Sequence, residues 1–309
     1  MDLHTAEQLA VSGFINGTAY GLLGVSFGLV LHTTGRFHFA YAFTYTIAAF
    51  YAADLTENGT NLWLAIAIGI ALGTVIGVLM ERLVYRPLAA RSGELALLTI
   101  FVASLGLSIV GENAIRLIWS DAPSKQLTGL DVSGINVGSV HFTSVDVLSV
   151  CVIWALVVLL TLILRYTRTG RVVRAVRVNP TMAQVVGINP ARVYLLVFAV
   201  ASLLAGVLAC LASLKFAAVP DMGFRPVFYA FVVAFLAGAR RSVLATAVIG
   251  VGLGLVESLS GLWLSSQWSS LVVFAVLFFY LAGRPLDYRA LRSMEWHRFA
   301  RSLNPARGA

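Results

Sequence analysis

The sequence is poor in charge. Only 12% of its 309 residues are Asp, Glu, Lys or Arg, against about 25% in an ordinary soluble domain, too few to cover a globule of this size in water. Lysine is nearly absent, with Lys125 and Lys215 the only two. Neither follows a glycine in the Gly-x-x-x-x-Gly-Lys-Ser/Thr order that cradles nucleotide phosphates, so the chain cannot bind ATP by that motif. Cysteine is equally scarce. Cys151 and Cys210 each sit inside an apolar run, where a buried small hydrophobe is expected and a disulfide or metal site has little support. There is no His-Glu-x-x-His and no Cys/His cluster, and no nucleophile and base converge as a membrane-embedded enzyme would require. No metal or cofactor is expected.

What fills the chain is apolar: 59% of residues are hydrophobic and the mean hydropathy is +0.87. The charges gather between long apolar runs, the pattern of an all-α, polytopic transmembrane bundle. The net charge of +8 sits almost wholly beside those runs, so it marks loops at a lipid surface and not a nucleic-acid footprint. Nine runs are read, over Leu9–Leu31, Phe37–Ala53, Leu62–Met80, Leu95–Trp119, Val145–Leu164, Val193–Leu214, Val227–Ala239, Val243–Trp263 and Trp268–Ala282. About eight or nine membrane segments follow. Phe37–Ala53 and Val227–Ala239 are short against the roughly 17–25 residues of a span, and short or broken segments at membrane depth usually line a cavity. Met1–Gln8 is acidic and lacks a basic leader, so the first run is expected to serve as the insertion signal.

Charge sets the orientation. Arg82, Arg86 and Arg91 follow one run; Arg165, Arg168, Arg171, Arg174, Arg177 and Arg192 crowd a segment with no acid; Arg240 and Arg241 follow another, and the tail 284–309 is basic. Asp54 and Glu57, then Asp121, Asp131 and Asp146, mark the opposite loops. Nine crossings from an outside N-terminus put every Arg-rich loop in the cytoplasm. Lys215 and Arg225 are mild exceptions. Gly13, Gly17, Gly21 and Gly69, Gly73, Gly77 recur four apart, a spacing that lets helix backbones approach. Packing within the bundle is expected, with a subunit interface as the alternative.

Tyr41-Ala42-Phe43 and Tyr229-Ala230-Phe231 echo each other in the two short runs, a weak trace of an inverted repeat. Ionisable and amide groups at membrane depth are costly and face the bundle interior. Glu257 and Asn16 are therefore candidate pathway residues, as are His38, Tyr41, Ala42, Tyr229 and Ala230 on the short runs; Glu112 and Asn113 form a further polar pair. For Glu257 a helix-locking ion pair is the plainer reading, and for His38 a solvated interfacial position. The loop Ser120–Ser144 alternates Val/Ile with polar residues and is read either as a small hairpin or as a plain connection.

Gly170–Arg192 is too polar to span and too patterned to be a tether. Asn179 and Pro180 suit a helix start, Thr181–Val186 a short helix with Ala183 on its exposed face, Gly187 its cap in a left-handed conformation, and Asn189-Pro190 the next start. Gly170, Arg174, Ala175, Asn179, Pro180, Ala183, Gly187 and Ile188 resemble the coupling loop of ATP-binding cassette importer permeases. The likeness is to the high-affinity branched-chain amino acid permeases and their urea and amide relatives. Met80–Leu88, Ser104-Leu105-Gly106-Leu107-Ser108 with Asn113, Phe14–Leu22 and Arg284-Pro285 are similar to that family's motifs in order, so the resemblance covers nearly the whole chain. Two stretches depart from it: His38–Ala42, where Asn-Phe-Ala-His-Gly is usual, and Ala237–Ser242, where a Gly-Gly-x-Gly-Ser turn is usual.

The resemblance implies a single permease domain over 1–309, with a coupling segment at 165–192. It implies a bacterial inner-membrane importer subunit moving a small polar solute, most readily a branched-chain or related amino acid. Its implied partners are two ATP-binding cassette subunits, a second permease (a copy or a different chain), an external solute-binding protein and lipid. A secondary transporter or channel needing no ATPase is the alternative.

Overall fold

A computed structural model describes residues 3–120, 124–130, 132–138, 140–238, 242–265 and 268–283. The tail 284–309, Arg240, Arg241, Asp121 and Asp131 lie outside the described residues.

Each of the nine apolar runs carries a helix. They are α1 (Leu3–Thr34), α2 (Tyr41–Glu57), α3 (Leu62–Met80), α5 (Ala96–Ile118), α6 (Ser144–Tyr166), α9 (Pro190–Ser213), α10 (Phe224–Ala237), α11 (Val243–Ser260) and α12 (Ser269–Gly283). Three shorter helices lie between them: α4 (Arg86–Arg91), α7 (Arg168–Val178) and α8 (Pro180–Val185). Among the described residues six helices are long and apolar enough to cross a membrane, while α10 and α12 are shorter apolar helices. The fold is thus a helical membrane bundle. Strand among the described residues is confined to a hairpin of β1 (Gly134–Val137) and β2 (Val140–Thr143), with Gly134 opposite Thr143, as the alternating loop allows.

The two glycine stripes are consumed inside the bundle. A Cβ on Gly17 would come within 2.7 Å of the Val251 backbone, and one on Gly254 within 2.3 Å of Gly17 Cα, so α1 and α11 cross backbone against backbone. Gly69 and Gly73 face α2 in the same way, and Gly77 faces Ser202 of α9. The chain is interleaved: α1 packs on α10 and α11, while α9 packs on α2 and α3. Of the short helices that bear the Tyr-Ala-Phe echo, α2 packs on α3 and α9, and α10 on α1 and α11.

Past the exposed Gly35, residues 36–40 between α1 and α2 fold into the bundle. Arg36, His38, Phe39 and Ala40 are all buried. Irregular backbone at such depth needs internal hydrogen-bond partners, and α5 provides them: Phe39 N donates to Ser104 Oγ at 3.2 Å, and Ser108 Oγ donates to Phe39 O at 3.1 Å. The Ser-Leu-Gly-Leu-Ser motif thus has a direct structural use.

Gln8 of α1 bonds His141 of the hairpin, so the N-terminal end of α1 lies at the hairpin end of the bundle. There Lys125 pairs with Asp54 at 2.9 Å and with Glu57, while its backbone bridges to Ala218. Burial opposes the charge of Lys125, but the hydrogen bonds to Glu57 and Asp54 prevail and hold its pKa above the ordinary lysine value. Lys215 and Arg225 likewise have partners, Asp146 at 2.9 Å and Glu257 at 3.3 Å, which accounts for basic residues outside the general charge pattern. Cys210 is buried as expected, but Cys151 is exposed on α6, because a lipid-facing surface accepts a small hydrophobe as readily as a core does. The start of α3 rests on Asn61, whose side chain accepts from Trp63 N at 3.0 Å. Asn61→Ala should cost about 1 kcal/mol, read as a small fall in the unfolding temperature in detergent with uptake unchanged.

Candidate functional site

At the hairpin end a cavity of about 670 Å³ opens between α1, α9, α10 and α11, within the roughly 300–1,000 Å³ of small-molecule sites. Its wall brings together residues far apart in sequence: Asn16 and Tyr20 of α1, Tyr45 of α2, Arg225 and Tyr229 of α10, and Glu257 of α11. Two smaller cavities, of about 150 and 320 Å³, adjoin it, and Asn16 and Phe216 line all three. The Lys215–Asp146 pair lines both smaller ones.

The polar groups in the main cavity form one network. Glu257 is buried and accepts from the Tyr229 hydroxyl and from Arg225 Nη2 at 3.3 Å. Arg225 also reaches Tyr229 Oη and Ser270 Oγ, each at 3.3 Å, and lies over the Tyr229 ring. Tyr20 stacks on Tyr229 with centroids 4.4 Å apart. A cation and an anion therefore face one aqueous space, each hydrogen-bonded but with the arginine still largely solvent-accessible. Such a site can meet a ligand's negative group with Arg225 and its positive group with Glu257. Among the described residues no cluster of three or more His, Cys, Asp or Glu side chains is placed to hold a metal.

Of the residues singled out from sequence, Asn16, Tyr229 and Glu257 meet in this cavity. Tyr41, Ala42 and Ala230 are buried in the core and line none of the cavities described. The Tyr41 hydroxyl is instead paired with Ser26. His38 is not a solvated interfacial residue: it is 1% exposed, bonds Tyr85 Oη through Nδ1 at 3.0 Å and packs on Phe198. The connector that carries it folds inward, which its neighbour Arg36 does not suggest in sequence. Glu112 pairs with Arg116 on its own helix, and Asn113 is exposed. Arg225, Tyr20 and Tyr45 were missed; the oddly placed charge at Arg225 was the only available signal.

The second candidate element lies at the other end of α6. Gly170 lets α7 fold back on α6, since a Cβ there would lie 2.3 Å from Leu164 O. Asn179 caps α8 by accepting from Met182 N at 3.0 Å, and Pro180 holds the first turn. Gly187 takes φ +84°, and Ile188 N returns to Ala183 O at 2.9 Å, a left-handed cap. Asn189 then caps α9 through Ala191 N. Arg174 is exposed and Ala175 half-buried on α7. Ala183 is not on the exposed face: it is 3% exposed and belongs to the core. Its small side chain lets α8 lie close against the bundle. The outer side instead carries the exposed apolar Val178, Met182, Val185 and Val186 beside the polar Thr181 and Gln184.

Residues 9–281 match the profile of a family described as branched-chain amino acid transport system, permease component. The chain is 28% identical over 292 residues to the high-affinity branched-chain amino acid transport system permease protein LivH of Escherichia coli K12, covering 90% of this chain and 93% of LivH. It is 27% identical over 297 residues to the corresponding permease protein BraD of Pseudomonas aeruginosa, covering 91% and 94%. The fructose import permease protein FruF of Bifidobacterium longum is 26% identical over 194 residues, 61% of this chain and 50% of FruF. No solved structure matches. The chain belongs to the permease components of branched-chain amino acid transport systems, membrane subunits of ATP-driven importers that leave ATP hydrolysis to separate chains.

Proposed function

We propose that this permease carries a branched-chain or related amino acid across the bacterial inner membrane, with the cavity at the hairpin end as the solute's station. The observation that carries this reading is Arg225 and Glu257 facing one space. An amino acid has a carboxylate for the first and an ammonium for the second; urea and sugars have neither. The names of LivH and BraD favour the same solute class.

The chain acts as one transmembrane domain of nine crossings, its N-terminus outside and its C-terminus in the cytoplasm. The segment 165–192 couples it to two ATP-binding cassette subunits. Val178, Met182, Val185 and Val186 form the docking face, held in place by Gly170, Arg174, Ala175, Asn179, Pro180, Ala183, Gly187 and Ile188. A second permease subunit completes the channel, and an external binding protein delivers solute at the hairpin end. Charge supports this orientation: the hairpin end carries Asp54, Glu57 and Asp146, and the opposite end the arginines of α7.

The test of transport is ATP-dependent uptake by the reconstituted complex of leucine against urea and fructose. Leucine uptake is expected, and uptake of urea or fructose in its place would overturn the solute class. The test of orientation is thiol labelling of Ser133→Cys and Gln184→Cys in a Cys151→Ser, Cys210→Ala background. An impermeant reagent should reach Ser133→Cys from outside only and Gln184→Cys from the cytoplasmic side only. Labelling of both from one side would sink the orientation.

A further inference from the structure

The connector 36–40 joins two features of the bundle. On one side stands α9, whose first turn follows the Gly187–Asn189 turn of the coupling segment. The Arg36 guanidinium lies 5.1 Å from the ring of Tyr194, four residues into α9. It is also ion-paired with Glu81, on the π-helical turn Glu81–Tyr85 that ends α3. On the other side stands an aromatic cluster. Phe37 stacks on Phe235 of α10 at 6.1 Å and meets Phe101 of α5 at 5.8 Å. Phe39 meets Phe101 at 5.2 Å and Phe231 of α10 at 5.7 Å.

Stability alone does not explain this arrangement. Arg36 is 8% exposed and Glu81 1%, and a buried ion pair is no more stabilising than a well-packed apolar pair of the same shape. Nor is the cluster fully satisfied: among the described residues neither Glu81 Oε2 nor the neighbouring His38 Nε2 has a hydrogen-bond partner, whereas a static polar lock is expected to use every group. The π turn adds a locally irregular backbone of the kind found where helices change shape in function.

We propose that Arg36 is a positioning residue for transport. Held between Tyr194 and Glu81, it carries displacement of the N-terminal end of α9 to Phe37 and Phe39. The aromatic cluster between α5 and α10 then opens or closes in step with the coupling segment. The proposal rests on the permease reading above and adds to it the route inside this chain.

The test uses the full reconstituted complex, with solute-stimulated ATP hydrolysis and uptake measured per assembled complex. Glu81→Gln keeps the shape of the side chain and removes its charge. Tyr194→Leu leaves the ion pair in place and removes only the ring beside Arg36, so it carries the test if Glu81→Gln fails to assemble. Basal hydrolysis should be unchanged in both, while stimulation and uptake fall roughly tenfold. Normal stimulation in assembled Tyr194→Leu overturns the proposal. So does a loss of uptake that only follows a loss of assembled complex, which would mark the pair as structural. Absence of ATP-driven uptake by the unmodified complex would instead count against the permease reading itself.

Discussion

Arg225→Met is expected to lower the maximal rate of ATP-driven amino acid uptake by at least about tenfold, because a hydrogen bond between charged groups contributes roughly 1.5–3 kcal/mol. Methionine keeps an apolar stem beside the Tyr229 ring but removes every donor that Arg225 directs at Glu257, Tyr229 and Ser270. The carboxylate of Glu257 would then retain the Tyr229 hydroxyl and lose its cation. An external binding protein would set the apparent affinity of the whole importer, so the informative readout is the rate at saturating binding protein. Glu257→Gln should reduce that rate comparably by removing the group that meets the solute's ammonium. Tyr229→Phe removes one hydroxyl and leaves both charges, so its effect should be smaller. A rate equal to that of the unmodified protein for Arg225→Met, at matched membrane levels, would remove this cavity from the pathway.

The network behind that expectation was only half legible in sequence. Asn16 and Glu257 stand out because a polar group at membrane depth is costly and has to be used, and Tyr229 because it lies on a short run that echoes Tyr41-Ala42-Phe43. Tyr20 and Tyr45 do not stand out. In a membrane bundle the lipid-facing and core-facing sides of a helix are both apolar, so the periodicity that reveals the buried face of a soluble helix is lost. Ala42 and Ala230 show the same limit from the other direction. They occupy short helices that suggested a pathway, yet both are core residues. A bulky substitution at either would therefore report overpacking, at roughly 1–3 kcal/mol, and say nothing about solute.

Helix positions were far more legible, because length and hydropathy are one-dimensional properties. All nine apolar runs became helices, and the Asn-Pro starts at 179 and 189 became caps. The connector 36–40 was not legible, since an arginine and a histidine after an apolar run read as a surface loop. Its burial depends on Glu81, Tyr85, Ser104 and Ser108, partners that only the folded chain brings near.

Gly187→Asp is expected to lower solute-stimulated ATP hydrolysis and uptake by roughly tenfold while leaving insertion and the basal activity of the isolated ATPases unchanged. Gly187 holds φ +84°, and a Cβ there would meet nothing within 4 Å. Substitution therefore carries no clash, only a left-handed backbone strain of about 1 kcal/mol for any side chain. Aspartate adds a negative charge near the negative end of α8, a further unfavourable contribution of roughly 0.3–1 kcal/mol. Gly187→Ala separates the two effects and should retain partial docking. The apolar face beside the cap should matter more than either. Val185 is 77% exposed and Met182 63%, an exposure that, with the docking assigned above, fits a partner surface. Val185→Asp leaves the Asn179 cap and the buried Ala183 untouched, so α8 should persist. Losing a central apolar anchor costs about 2 kcal/mol or more, so ATPase capture should weaken by at least about thirtyfold. Pull-down of the ATPase beside transport, at equal membrane levels, distinguishes the outcomes. Full capture by Val185→Asp together with full transport by Gly187→Asp would reduce the segment to a solvated linker. Loss of capture in Val185→Asp with normal membrane levels would place the docking face on the side of α8 opposite Ala183.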